Sequence, residues 1–171
     1  MFNKKLAIVG ASGAVGRVFI ELLDEMYPGT KDLFLVASKR SAGRSMFCGK
    51  QEFIIQDIEE FDFSQVEIAF FSAGAETAEK YAPIAVSKGC TVIDNSSQFR
   101  TDLDKPLIVP EVNSKDLKNF KLPGIIANPN CSTAQLVVAL KPIHDLFKIE
   151  RVDVASYQSV SGTGKEGIDE L

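Results

Sequence analysis

Three groups of residues in this sequence have the types and spacing to do chemistry. The first is Gly10-Ala11-Ser12-Gly13-Ala14-Val15-Gly16, with glycines at steps of three. Between a strand and a helix, such glycines let the chain turn sharply, bring backbone close to a pyrophosphate and let the helix pack tightly. The anion then rests on free N–H groups at the helix start. An ordinary tight strand-to-helix turn is the bland alternative. A strand before, a helix after and the N-terminal location favour dinucleotide binding.

The second group is Ser38-Lys39-Arg40-Ser41. A site for NAD usually carries Asp or Glu here, for the ribose 2′-hydroxyl. This segment has no acid. A 2′-phosphate would be served by Ser38, Arg40 and Ser41, because guanidinium matches phosphate oxygens in a bidentate way. Alone, the segment reads equally as a solvated basic loop. Coupled to the glycine turn, it predicts NADP as the cofactor.

The third group is Asn130-Cys131-Ser132-Thr133, which opens a helix. A thiol at a helix N-terminus meets the positive end of the dipole, which favours the thiolate and hence a nucleophile. A single cysteine is more often a small core hydrophobe, and Cys48 and Cys90 take that reading. Cys131 instead has Asn, Ser and Thr as neighbours, residues that cap helices and line polar sites.

Regular elements must hold these groups in place. Leu6–Val9, Leu33–Ala37, Phe53–Ile55, Ile68–Phe71, Thr91–Ile93 and Gly124–Ala127 read as buried strands. Val15–Met26 reads as a helix, with Val15, Val18, Phe19, Leu22, Leu23 and Met26 on its apolar stripe. Glu76–Ser87 reads as a second helix, closed by Gly89. Continuous apolar strands joined by crossover helices imply an α/β fold with a doubly wound parallel sheet. After Asn128-Pro129-Asn130 the pattern changes. A long helix carries Leu136, Leu140, Ile143 and Phe147 on one stripe, and Val152–Val160 reads as a partly alternating strand. The charged stretch from Gly164 to Leu171 starts like a helix with no end. The expectation is a complete domain, 1–130, followed by a truncated beginning of a second, 131–171.

Composition narrows the class. The chain has 171 residues, 45% of them hydrophobic and 25% charged, so it can build a core. A net charge of -4 with both signs interspersed argues against a nucleic-acid surface. No run of apolar residues is long enough to span a membrane, and the start lacks the features of a secretory signal. Three widely spaced cysteines make neither a disulfide framework nor a CxxC metal pair. The reading is a reduced cytoplasmic protein with no metal site.

The motif Asn128-Pro-Asn-Cys-Ser-Thr-Ala-Gln135 resembles the active-site signature of the aspartate-semialdehyde dehydrogenases. Val9–Gly16, Asn95-Ser-Ser-Gln-Phe-Arg100, Val109-Pro-Glu-Val-Asn113 and Tyr157-Gln-Ser-Val-Ser-Gly-Thr-Gly164 fit the same family in order along the chain. The resemblance implies a Rossmann-like NADP-binding domain followed by the start of an α+β catalytic and dimerisation domain. It implies NADP-dependent reductive dephosphorylation of L-aspartyl 4-phosphate to L-aspartate 4-semialdehyde, in lysine, threonine, methionine and diaminopimelate biosynthesis, by a homodimer. Cys131 would form a thioester as phosphate leaves. The Cys131 amide, with the Asn130 side chain, would stabilise the oxyanion. The resemblance gives Gln158 the orienting of the acyl intermediate and Arg100 the substrate phosphate. From its neighbours alone, Arg100 reads as a surface arginine. Ser161 and Gly162 would approach the nicotinamide, Ser72-Ala73-Gly74 would pass close to the cofactor, and Asn95 would lie near it.

The one histidine, His144, lies 13 residues after Cys131 on the same helix. At about 1.5 Å per residue that is about 20 Å, too far for a base. The family's base histidine and carboxylate-binding arginine come later in its chain, so this chain alone is expected to be nearly inactive. N-acetyl-γ-glutamyl-phosphate reductase shares the fold and chemistry but differs around the cysteine. Glyceraldehyde-3-phosphate dehydrogenase usually carries an acid after its second strand. A non-catalytic NADP-binding module is the alternative of another class, and it has no need of a helix-start cysteine beside Asn130 and Gln158.

Overall fold

A computed structural model describes residues 4–163 and 170 of the chain. Seven strands form one sheet: β1 (Leu6–Val9), β2 (Leu33–Ala37), β3 (Ser45–Cys48), β4 (Gln51–Asp57), β5 (Ile68–Phe71), β6 (Thr91–Asp94) and β7 (Ile125–Ala127). Their order is β3-β4-β2-β1-β5-β6-β7. Every neighbouring pair is parallel except β3 with β4. The expected doubly wound sheet therefore forms, with one antiparallel strand at its edge. That strand follows from a hairpin: Cys48 faces Gln51 across Gly49-Lys50, and Gly49 adopts a positive φ of 58°.

Alternation along β1 builds a core on each side of the sheet. Ala7 and Val9 pack with Ala78, Ala82 and Ala85 of helix α2 (Ala75–Ser87). Leu6 and Ile8 pack with Ile20 and Leu23 of helix α1 (Ala14–Met26). The small side chains on α2 let it lie close against the sheet. Phe63 stacks on Phe71 beneath it, with ring centroids 6.0 Å apart. Losing a buried ring of this kind costs about 3–5 kcal/mol.

The helix over Val15–Met26 forms, but of the stripe read from its spacing only Leu23, with Phe19 at its edge, meets the core. Val15, Val18, Leu22 and Met26 are exposed, and Gly16, Ile20 and Leu23 are the buried face. α1 has two adjacent apolar stripes, and the close approach of Gly16 to the β1 turn selects which one meets the sheet. Phe19 lies between them and stacks on Phe70, centroids 4.2 Å apart.

Two expectations after Asn130 also change. Helix α4 (Cys131–Phe147) forms, but it has no buried residue, and Ile143 and Phe147 are exposed. Among the described residues, the short α3 (Pro110–Asn113) packs against it. The strand expected over Val152–Val160 does not form: 151–159 has no regular secondary structure and leads into a 3-10 turn, Val160–Thr163. A strand needs a neighbour's N–H and C=O groups, and among the described residues none of the seven strands pairs with that segment. The Ser161 side chain, Gly164 and the expected helix start up to Leu171 lie outside the described residues, apart from Glu170.

Candidate active site

The sheet reverses its direction of winding between β1 and β5, and ligands of such folds bind outside the carboxyl ends of the strands at that point. Gly10 follows β1 with φ 88°, and a β-carbon there would lie 2.5 Å from the Ser72 carbonyl oxygen beyond β5. Only glycine allows both the conformation and the approach. Ser72 N–H in turn donates to Val9 C=O at 2.8 Å. The turn closes through Gly13 N–H to Gly10 C=O at 2.9 Å, and Arg17 Nε steadies it from the helix by donating to Ser12 C=O at 3.1 Å. Arg17 escaped the sequence reading because its partner is a backbone carbonyl.

The start of α1 is chemically open. Gly13 is its N-cap, no side chain caps it, and its first turn holds no acid. Gly74, after Ser72 and Ala73, begins α2 in the same uncapped way. Ala11 is buried in the turn, and Ala14 and Val15 are exposed on the first turn of α1. Ser12 Oγ donates to Ser41 Oγ at 3.1 Å, which joins the glycine turn to the loop after β2. In that loop Ser41 N–H donates to Ser38 C=O at 2.8 Å, leaving Ser38, Lys39 and Arg40 exposed beside the turn. Free amides, a close-approach glycine and an adjacent acid-free pair of cations fit a dinucleotide with an extra phosphate.

Cys131 is the first residue of α4 and is exposed. Asn130 caps the helix: its Oδ1 accepts from Ser132 N–H at 3.0 Å and from Thr133 N–H at 3.4 Å. The Asn130 side-chain oxygen is thus committed to capping. The Cys131 N–H, as the first amide of the helix, has no intrahelical acceptor, and capping through Oδ1 does not use the Asn130 Nδ2 group, so both are candidate oxyanion donors. Gln158 Nε2 donates towards Cys131 Sγ at 3.9 Å. Residues 27 apart in sequence therefore meet over an open cavity of about 450 Å³, its walls including Cys131, Ser132, Gln135, Tyr157, Gln158 and Gly162. A β-carbon on Gly162 would collide with the Gln158 amide.

The other cysteines are buried. Burial pushes the Cys90 thiol up to about 12. Burial, then the nearby Asp24 carboxylate, pushes Cys48 up. Arg100 is not a free surface residue: Nε donates to Asn128 C=O at 2.9 Å and Nη2 to Asn95 C=O at 3.1 Å. Beneath it Asp94 is fully buried and accepts from Ser96 N–H and Oγ at 3.1 and 2.7 Å. Burial raises its carboxyl, against the lowering effects of Ser96 and Arg100. His144 is exposed near the far end of α4, away from Cys131. No helix among the described residues is long and apolar enough to cross a membrane.

A phosphate-type turn at the sheet's switch point, joined in one chain to a capped helix-start cysteine, is the arrangement of a dinucleotide-binding fold beside an exposed thiol, and family comparisons agree with that fold. The family model for the semialdehyde dehydrogenase NAD-binding domain matches residues 5–120, and that for the semialdehyde dehydrogenase dimerisation domain matches residues 140–171. The chain belongs to the semialdehyde dehydrogenase family. It is 56% identical over 167 residues to the aspartate-semialdehyde dehydrogenase of Shewanella violacea, covering 97% of this chain and 49% of that protein. It is similar to the crystal structure of aspartate semialdehyde dehydrogenase II from Vibrio cholerae complexed with ASA: TM-score 0.93, 52% identity, 99% of this chain and 51% of that one. The Candida albicans enzyme crystallised with NADP matches at TM-score 0.72 and 31% identity, over 86% of this chain and 48% of that one. The chain spans about half the length of the curated relatives it matches.

Proposed function

We propose that this chain is the nucleotide-binding and nucleophile-bearing part of an NADP-dependent aspartate-semialdehyde dehydrogenase. The observation that carries the reading is the Gln158 amide set 3.9 Å from the exposed Cys131 thiol at the head of α4. The relatives' shared name and the Vibrio cholerae enzyme's ASA complex support the substrate. The acid-free Ser38–Ser41 loop supports NADP over NAD.

The Cys131 thiolate attacks the acyl carbon of L-aspartyl 4-phosphate, a C–S bond forms, and the C–O bond to phosphate breaks. The Cys131 N–H stabilises the oxyanion of that addition. NADPH, held by the residues named below, would supply the hydride that reduces the thioester carbon to the aldehyde as the C–S bond breaks and the Cys131 thiolate is regenerated. Gln158 orients the acyl group through a neutral amide, which donates without adding charge. Arg100 has N–H groups beyond the two it gives to carbonyls, and these serve the substrate phosphate. Gly10–Val15, Ser38, Arg40, Ser41, Ser72–Gly74, Asn95, Ser161 and Gly162 hold the nucleotide.

By its resemblance to the family, the base histidine and the carboxylate-binding arginine come from the later part of the family's chain, and the protein works as a homodimer. His144, about 20 Å along α4 from Cys131, cannot act as the base. The 171-residue chain by itself should therefore bind NADPH yet turn over poorly. Measuring nucleotide affinity and semialdehyde turnover on this chain tests the division. Full turnover by a chain ending at Leu171 would refute it.

A further inference from the structure

Asn128 carries no role in the chemistry above, yet its N–H, its C=O and its Nδ2 group are all engaged. Its N–H donates to Asp94 C=O at 2.8 Å, and its Nδ2 donates to Asn95 Oδ1 at 2.7 Å. Its C=O accepts from Arg100 Nε at 2.9 Å. The same guanidinium donates from Nη2 to Asn95 C=O at 3.1 Å. Asn95 and Asn128 follow β6 and β7, so two adjacent strand ends are locked together twice, by an amide pair and by a shared arginine. We propose that Asn128 is a positioning residue that fixes Cys131 relative to the nucleotide crevice through Asn95 and Arg100.

The path to the thiol is short and stiff. Pro129 is buried, with its φ fixed by the ring. Asn130 is held by its capping bonds, and Cys131 follows as the first helical residue. The path to the nucleotide side is equally direct. Asn95 N–H donates to Phe71 C=O at 2.9 Å, and Phe71 leads into Ser72, the residue Gly10 packs against. A path of hydrogen bonds and short backbone steps therefore runs from the phosphate turn to Asn128, three residues before the nucleophile. Hydride transfer and thiol attack meet at one carbon, and a misplacement of 1 Å can cost about 100-fold in rate.

This inference rests on the proposed reading only for what Cys131 does, not for where it is held. The test uses the full-length protein without nucleotide and follows iodoacetamide labelling of Cys131 by mass spectrometry. Asn128→Ala and Asn95→Ala are each expected to slow labelling by about three- to tenfold, the range of one net hydrogen bond. The double variant should be no slower than the slower single, because both remove one bond. Asn128→Ala should also lower kcat for aspartate semialdehyde while its KM stays within about twofold. If Asn128→Ala does not fold, Asn95→Ala breaks the same bond from the other side. Labelling at the parent rate, faster labelling, or additive effects would overturn the proposal. A parent protein without semialdehyde turnover that still shows the labelling pattern would sink the functional reading and support the positioning role.

Discussion

The side-chain amide of Gln158 occupies the space that a β-carbon on Gly162 would need, and from there it reaches to 3.9 Å from Cys131 Sγ. Gln158 is exposed and its end is flexible, so a methyl at position 162 would move the amide rather than unfold the chain. Gly162→Ala in the full-length protein should lower kcat for aspartate semialdehyde by about 10- to 100-fold. Its melting free energy should change by about 0.5 kcal/mol or less, as for other exposed positions. Steady-state kinetics beside a thermal melt check this. Parent-like kcat would show that the amide's position does not matter.

The three cysteines should label very differently. Cys131 is exposed at a helix start, whereas Cys48 and Cys90 are buried and their thiols are pushed up by that burial. Mass-resolved alkylation at neutral pH should modify Cys131 first and nearly alone, and phosphate or substrate should slow it. Equal labelling of all three would favour a binding module over an enzyme.

Arg40 is exposed beside the glycine turn, in a loop that Ser41 ties to Ser12. Arg40→Ala should raise KM for NADPH by about tenfold, the weight of a charge-assisted contact. KM for NADH should move little, since NADH has no 2′-phosphate. Unchanged NADPH kinetics would remove Arg40 from the cofactor site.

Asp94 makes the folded state pH-sensitive in an unusual direction for a carboxylate. Burial raises its folded value above the ordinary one. The folded state then holds a proton that the unfolded chain releases, so its contribution is fully present below the unfolded value of about 4. It is lost as pH rises through the folded value. Asp94→Asn, which keeps the shape, should therefore gain stability over the parent at neutral pH, and the gain should fade towards pH 4. Urea unfolding of both proteins across that range reads the difference. A gain independent of pH, or one that grows in acid, would contradict the assignment.

Much of this arrangement is legible in the chain, for identifiable reasons. Gly10–Gly16 and the buried strands announce themselves because glycine spacing and unbroken apolar runs are local signals. The buried face of α1 is not local information: Val15, Val18, Leu22 and Met26 have helical spacing as good as that of Gly16, Ile20 and Leu23. Only the sheet chooses between them. The alternation over 152–160 resembles a strand, but a strand also needs a partner, and none of the seven strands of the described residues pairs with it. Ser45–Cys48 is a short edge strand revealed by its hairpin partner rather than by its own pattern. The Asn95–Asn128–Arg100 lock joins residues 28 and 33 positions apart, which no spacing rule can anticipate.

The most direct test of the account is phosphate-dependent formation of NADPH from L-aspartate 4-semialdehyde and NADP+, measured on the full-length protein and on its Cys131→Ala variant. The account predicts turnover that requires phosphate, prefers this aldehyde to N-acetyl-glutamate 5-semialdehyde, and falls by about 1,000-fold or more without the thiol. Turnover that survives Cys131→Ala, or a preference for the acetylated substrate, would contradict it.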